Sequence, residues 1–369
     1  MDIEDNAEML KIREAVAIVK EKAKGVLKAY GKIIRKYEKT EIMALTHLQP
    51  AEPTTLGYRF ANYAQDLLID LKNLEMLENE ILKGKGFKGA VGTSASYEAL
   101  LGEQAKGMER KAMENLGIDA FEVSTQTYPR KVDYLILSAL ASVAASLHKF
   151  AFDLRILQSP YLGELSEPFA EKQVGSSAMP FKRNPVKAER ICSLARLVSA
   201  LPQVAWNNTA NSLLERTLDD SANRRIIIPE AFLAVEECLI LAEKIIEGLQ
   251  VDERKIRENY ERFSPFAMSE ALLMECVRKG ASRQEMHEIL RENSMKAWKN
   301  LQEGNGNNVS ELCANDKRLR KYLGEREILA FFKGKRHIGN AVEKCGKMNS
   351  EIEKTAGHPK GKAGKTEGF

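Results

Sequence analysis

Along most of this chain the apolar residues recur at threes and fours, the period of an amphipathic helix, and no stretch shows a persuasive every-second-residue alternation. Leu10, Ile12, Ala15, Val19, Val26, Leu27, Tyr30 and Ile34 predict a helix over 8–39, with charges on the remaining faces. Pro50 and Pro53 break the pattern and predict a loop from Thr40 to Thr55. A second long helix is expected over 56–82, closed by Gly84 and Gly86, then a glycine-rich loop over 86–96 and a helix over 97–116. Residues 130–157 read as a helix with Ser138, Ala139, Ala141, Ser142, Ala144, Ala145 and Ser146, small on several faces and suited to packing inside a bundle or between subunits. A loop from Ser159 to Pro185 leads into a helix from Val186, and after Asn223 another apolar helix runs to Leu249. Beyond Val251 the helices shorten and gain charge, and the last segment, AGHPKGKAGKTEGF, has almost nothing to bury. The expected fold is all-α, with a long-helix bundle over 1–251, a smaller C-terminal helical domain over 252–355 and a disordered tail over 356–369.

Composition adds exclusions rather than a function. The chain has 369 residues, 44% hydrophobic and 29% charged, with only 24 Gly and 11 Pro, which fits long helices and excludes a fibrous or disordered chain. A net charge of +4 is too small to imply nucleic acid, so no nucleic-acid partner is expected, although small anionic ligands would suit it. The 5 cysteines are scattered with no CxxC, which argues against a disulfide framework or a zinc site and for a reducing cytoplasm. The uncharged run from Tyr134 to His148 falls short of the ~20 residues a bilayer needs, and MDIEDNAEML lacks the apolar core of a signal peptide. No membrane partner is expected.

Four segments are out of character with a plain bundle. THLQP places Thr46 and His47 in a proline-flanked loop; imidazole titrates near neutral pH and suits proton transfer, but a lone loop histidine is usually just a surface residue. GSSAMPFKRNP (175–185) combines hydroxyls, a cation and an amide, a set that could close over a carboxylate-bearing ligand, or merely a linker. In ERTLDDSANRR (215–225), a helix begun near Thr217 would put Ser221 and Arg225 one turn apart, a hydroxyl and a guanidinium suited to phosphate, though a solvated charged helix start looks the same. STQTYPR (124–130) is by itself only a cap for the following helix.

Taken together these segments resemble a known family. GSSAMPFKRNP is similar to the signature loop of the fumarase/aspartase superfamily, whose members eliminate fumarate from succinyl compounds. THLQPAEPTTLG, the KRNP ending, QTYPRKVD and above all ERTLDDSANRRI resemble the adenylosuccinate lyases within it, in the family's order from Asp5 to beyond residue 300. The resemblance implies Ser176 as the general base at Cβ, His47 as the acid that protonates the departing nitrogen, and Glu189 as the carboxylate that orients it. It implies Lys182 and Asn184 at the succinyl carboxylates, Thr46, Gln126, Arg190 and Arg216 at the substrate, and Ser221 with Arg225 at the nucleotide phosphate. No metal and no organic cofactor is expected, the substrate is a small nucleotide, and the assembly implied is a homotetramer with active sites shared between subunits. The alternatives are another fumarate-releasing relative, argininosuccinate lyase-like, a carboxymuconate cycloisomerase that shares the loop, or an inactive helical scaffold. The family's N-terminal domain, with an Arg-His-Asp segment and a Thr-Ser pair, has no counterpart here, and Ser94 stands where the family usually has Gln. The expectation is a fragment whose activity alone is low.

Overall fold

The structure, a computed structural model, describes residues 1–169, 179, 181–334 and 337–357. Five long helices make the bundle: α1 (Glu4–Tyr37), α2 (Leu56–Met76), then, after the short α3 (Ala95–Leu101) and α4 (Gln104–Leu116), α5 (Lys131–Leu157), α6 (Val186–Ala210) and α7 (Ser221–Glu247). The apolar stripe read on the first helix is the stripe that is buried: Met9, Ile12, Val16, Val19, Val26, Leu27, Tyr30 and Ile34 all face the core. At its centre the rings of Tyr30, Phe60, Tyr63 and Phe150 pack edge to face or tilted, with centroids 5.5 Å apart for Tyr63–Phe150 and 5.6 Å for Tyr30–Phe150. Helices α1 and α2 meet backbone to backbone at Gly57, where a Cβ would lie 2.7 Å from the Ile34 carbonyl oxygen. Helix α5 has the length and apolarity of a spanning helix, yet it runs through the bundle against α2, α6 and α7.

The main correction concerns residues 40–55. The segment expected as a loop is a β-hairpin, β1 (Glu41–Thr46) and β2 (Gln49–Thr55), antiparallel with Glu41 opposite Thr55 and Thr46 opposite Gln49. The two prolines hid it, because proline donates no ladder hydrogen bond and signals a break in the chain. A two-stranded ribbon has two free edges, and an extra residue in β2 between Pro53 and Pro50 shifts the register so that both prolines fit. Thr55 then caps α2, its hydroxyl accepting from the Tyr58 N–H at 3.1 Å. A second ribbon pairs β3 (Leu165–Ser166) with β4 (Gln250–Val251), tying the chain before α6 to the chain after α7. Two smaller differences are physical too. The helix expected over 97–116 is divided at Gly102, which takes φ 56, and the helix over 56–82 finishes as a π-helical turn, Leu77–Ile81.

After the bundle come α8 (Glu253–Arg278), α9 (Arg283–Gln302), α10 (Val309–Asn315), α11 (Glu325–Gly334) and α12 (Ala341–Ala356). Helices α8 to α11 enclose a second, smaller core of Leu272, Cys276, Met286, Ile289, Val309, Cys313, Leu319 and Ile328. Helix α12 returns to the bundle instead, setting Cys345, Ile352 and Ala356 into the larger core beside α1 and α2. All five cysteines are buried and free, and burial pushes the thiols of Cys238 and Cys313 up to about 12, so neither offers a thiolate at neutral pH. Of the expected tail, residues 358–369 lie outside the described residues.

Candidate active site

The predicted site residues fall into three groups. The first stands on the hairpin. With Thr46 opposite Gln49, the connection is a two-residue turn made of His47 and Leu48, and both take positive φ, 54 and 58. Asn-Gly is the usual solution for such a turn; L-residues with a full side chain pay roughly 1 kcal/mol or more each for the left-handed region. The turn holds His47 and Thr46 out in solvent at the hairpin tip. Among the described residues, His47 makes no hydrogen bond or ion pair, and Glu189 is not beside it. Behind the tip, Leu45, Leu48, Tyr58, Arg59, Tyr63, Lys149 and Asp153 border a groove of about 380 Å³.

The second group surrounds the start of α6. The buried Glu167 carboxylate caps that helix, accepting from the backbone N–H of Lys187 and of Ala188 at 3.0 Å each. This fixes the first turn, on which Glu189 lies 3.8 Å from Arg155 and Arg190 lies 3.5 Å from Glu237. Lys182 and Asn184 lead into the turn; Lys182 is exposed, and the carbonyl of the intervening Arg183 accepts from Gln158 at 3.0 Å. Ser176 lies outside the described residues.

The third group is the most fully built. The Gln126 N–H donates to the Glu215 carbonyl at 3.4 Å, so the segment before α5 lies beside the segment before α7. Helix α7 begins at Ser221, somewhat later than a start near Thr217, and Ser221 and Arg225 are accordingly one turn apart in its opening turns. Arg225 is exposed and has no hydrogen bond or ion pair among the described residues. Beneath them is a buried charged network that sequence reasoning missed. Asp220 takes Arg216 at 3.2 Å and Arg130 at 2.8 Å. Arg130 makes a two-nitrogen fork onto Asp5, 3.3 Å for each contact. Arg224 reaches Asp133 at 2.6 Å, the Tyr128 hydroxyl at 2.6 Å and Glu8 at 3.0 Å, while that hydroxyl donates to Asp133 at 2.7 Å. Burial alone would pull the Arg224 guanidinium down, but Tyr128 and Asp133 reverse this and hold its pKa well above the ordinary value. The sequence carried a signal only for Arg216 and Asp220, opposite charges four residues apart; the partners of Arg130 and Arg224 lie far off in the chain. Among the described residues, no group of three or more His, Cys, Asp or Glu could hold a metal ion.

The long-helix bundle with its smaller C-terminal domain, together with the family matches, makes this chain a lyase of the fumarase/aspartase superfamily. Residues 6–199 match the family model described as Lyase, and residues 265–347 match the one described as Adenylosuccinate lyase C-terminus. The chain belongs to the adenylosuccinate lyase family. It is 41% identical over 318 residues to the adenylosuccinate lyase of Schistosoma mansoni, covering 85% of this chain and 66% of that one. It is 36% identical over 348 residues to that of Pyrococcus abyssi, covering 93% and 73%. The chain thus spans about two thirds of the length of curated relatives it matches. Among solved structures, a fumarate lyase from Mesorhizobium sp. BNC1 superposes with a TM-score of 0.82 at 26% identity, over 95% of this chain and 76% of that one.

Proposed function

We propose that this chain carries adenylosuccinate lyase chemistry: elimination of fumarate from adenylosuccinate, leaving AMP, and from the succinylated imidazole-carboxamide ribotide of purine synthesis, in a cytoplasmic homotetramer. What supports the reading is that the segment of Gln126 lies beside Glu215, the neighbour of Arg216, and that Ser221 and Arg225 stand one turn apart at the start of α7, a hydroxyl and guanidiniums suited to a phosphate. Fumarate-releasing relatives that act on substrates without a phosphate have no use for such a set.

In the proposed reaction Ser176 removes the Cβ proton next to a carboxylate, and Lys182 and Asn184 stabilise the charge that builds on that carboxylate. The carbanion's electron pair becomes the new C=C bond as the C–N bond breaks, and His47 delivers a proton to the departing nitrogen, oriented by Glu189. Among the described residues, His47 and Glu189 are not partners. His47 stands free at the hairpin tip, and Glu189 is occupied by Arg155. Both features support sites completed by neighbouring subunits, and exposed Leu197, Trp206, Ile226 and Leu233 on α6 and α7 supply apolar surface for the assembly.

The test follows fumarate formation at saturating adenylosuccinate, with the missing N-terminal domain supplied so that the wild type is active. Replacing His47 by Ala should lower turnover by about 10²–10⁴-fold, the usual contribution of a positioned acid. A mixture of His47→Ala and Ser176→Ala chains should regain part of the activity, since some mixed sites carry neither lesion. An unchanged rate for His47→Ala would refute its role, and no recovery on mixing would refute shared sites.

A further inference from the structure

Asp220 ties the nucleotide wall to two other helices. Its carboxylate, 2% exposed, accepts Arg216 Nη1 at 3.2 Å on Oδ1 and 3.3 Å on Oδ2, and Arg130 Nε at 2.8 Å on Oδ2. Arg130 continues to Asp5 on the first turn of α1, and Asp5 also accepts the Tyr128 N–H at 2.9 Å. The result is a line of alternating charge, Asp5–Arg130–Asp220–Arg216, whose first three members are buried. Only the last emerges, with a side chain 17% exposed. Its Nε and Nη2 have no hydrogen-bond partner among the described residues.

We propose that Asp220 is a positioning residue for the nucleotide phosphate: through this line it fixes the Arg216 guanidinium by one nitrogen and leaves the other two aimed at the ligand. The proposal rests on the reading of the wall as a phosphate site. Two physical arguments support it. An unanchored arginine loses rotamer freedom when it closes on a ligand, and anchoring one nitrogen in advance removes that loss from the binding step. The line also balances two carboxylates against two guanidiniums, so Arg216 can stay partly buried without a ligand. Position adds a third consequence. Asp220 directly precedes Ser221 in the chain, so whatever fixes its side chain also fixes the backbone from which the serine hydroxyl projects. Residues 220 and 224 turn inward one turn apart, and 221 and 225 lie one residue further round the helix.

The test titrates the full chain with AMP and with adenosine, which lacks the phosphate, alongside Arg216→Ala and Asp220→Asn, with thermal unfolding recorded for each. Asp220→Asn keeps the shape and removes the charge. Expected is an AMP affinity about tenfold weaker, with adenosine affinity unchanged, the size of one weakened charge-assisted contact. Where adenosine binds neither chain, the loss of AMP affinity is itself a phosphate loss and counts in support. Unchanged AMP affinity in Asp220→Asn, or an equal loss for AMP and adenosine, overturns the proposal while leaving the phosphate site standing. If instead the wild-type chain fails to bind AMP, or Arg216→Ala binds it as well as wild type, the phosphate reading itself falls. Should Asp220→Asn not fold, Arg130→Lys loosens the line one step back and is read by the same outcomes.

Discussion

The proposed nucleotide wall and the histidine hairpin hold their candidate side chains by opposite means. The wall is held by charge inside the chain: Arg130, Asp133, Asp220 and Arg224 are buried, and each meets an opposite charge. The hairpin tip is held by backbone, with two L-residues in left-handed conformations and a histidine in solvent. The difference bears on which half of the proposed site one chain finishes alone. The buried charges beneath the proposed phosphate site are paired within the chain and need no second subunit to hold them. A free imidazole with no orienting carboxylate has to find one elsewhere, and that is what sites shared between subunits would supply.

The strongest way to break the comparison is to remove a charge from under the wall. Asp133 accepts from Arg224 and Tyr128, and its side chain is fully buried. Asp133→Ala should cost about 3–5 kcal/mol of stability, the usual penalty for stranding one partner of a buried ion pair. Denaturant unfolding of the two chains measures it. A cost below about 1 kcal/mol would mean that Glu8 or water takes over Arg224, and that the wall is not held by its internal charges.

The long helices were legible because burial follows the spacing of apolar residues, and α1 and α5 match their expected spans closely. The hairpin was not legible, since Pro50 and Pro53 mask a ribbon whose register only a bulge can reconcile. The return of α12 to the bundle was equally hidden: Cys345 and Ile352 make an apolar stripe that fits either core. Within the site, Arg216, Ser221 and Arg225 could be singled out by their motif. Asp5 and Arg130 could not, because their partnership spans 125 residues and leaves no local spacing to read.

A smaller effect with the opposite sign should come from the hairpin. Leu48 is 63% exposed and has φ 58, so Leu48→Gly removes backbone strain while giving up little burial. Glycine's larger entropy in the unfolded chain offsets part of the gain, leaving up to about 1 kcal/mol of added stability. Turnover should fall, because a glycine turn no longer fixes the adjacent His47. Thermal unfolding and a fumarate assay read the two effects separately. A stability loss would mean that the groove behind the tip binds the leucine side chain more strongly than the backbone resists it.

The smallest effect tests whether pairing is what makes buried charge tolerable in the wall. Asp70, on α2, is a buried carboxylate with no arginine or lysine partner among the described residues; it accepts from the hydroxyls of Ser142 and Ser146 at 2.5 and 2.6 Å. Burial raises its pKa above the ordinary 3.8, the two serines offset part of the rise, and nearby Asp66 adds to it. A carboxyl raised in this way favours the fold below its unfolded pKa and loses that contribution as pH climbs through the folded value. Asp70→Asn stays neutral throughout. Its stability relative to wild type should therefore improve as pH rises from about 4 toward neutrality, because only the wild-type chain must ionise a buried group. Unfolding both chains side by side at each pH cancels the titration of every other residue. A difference that stays flat, or runs in favour of wild type, would mean that two serine hydroxyls stabilise a buried carboxylate as well as an arginine does.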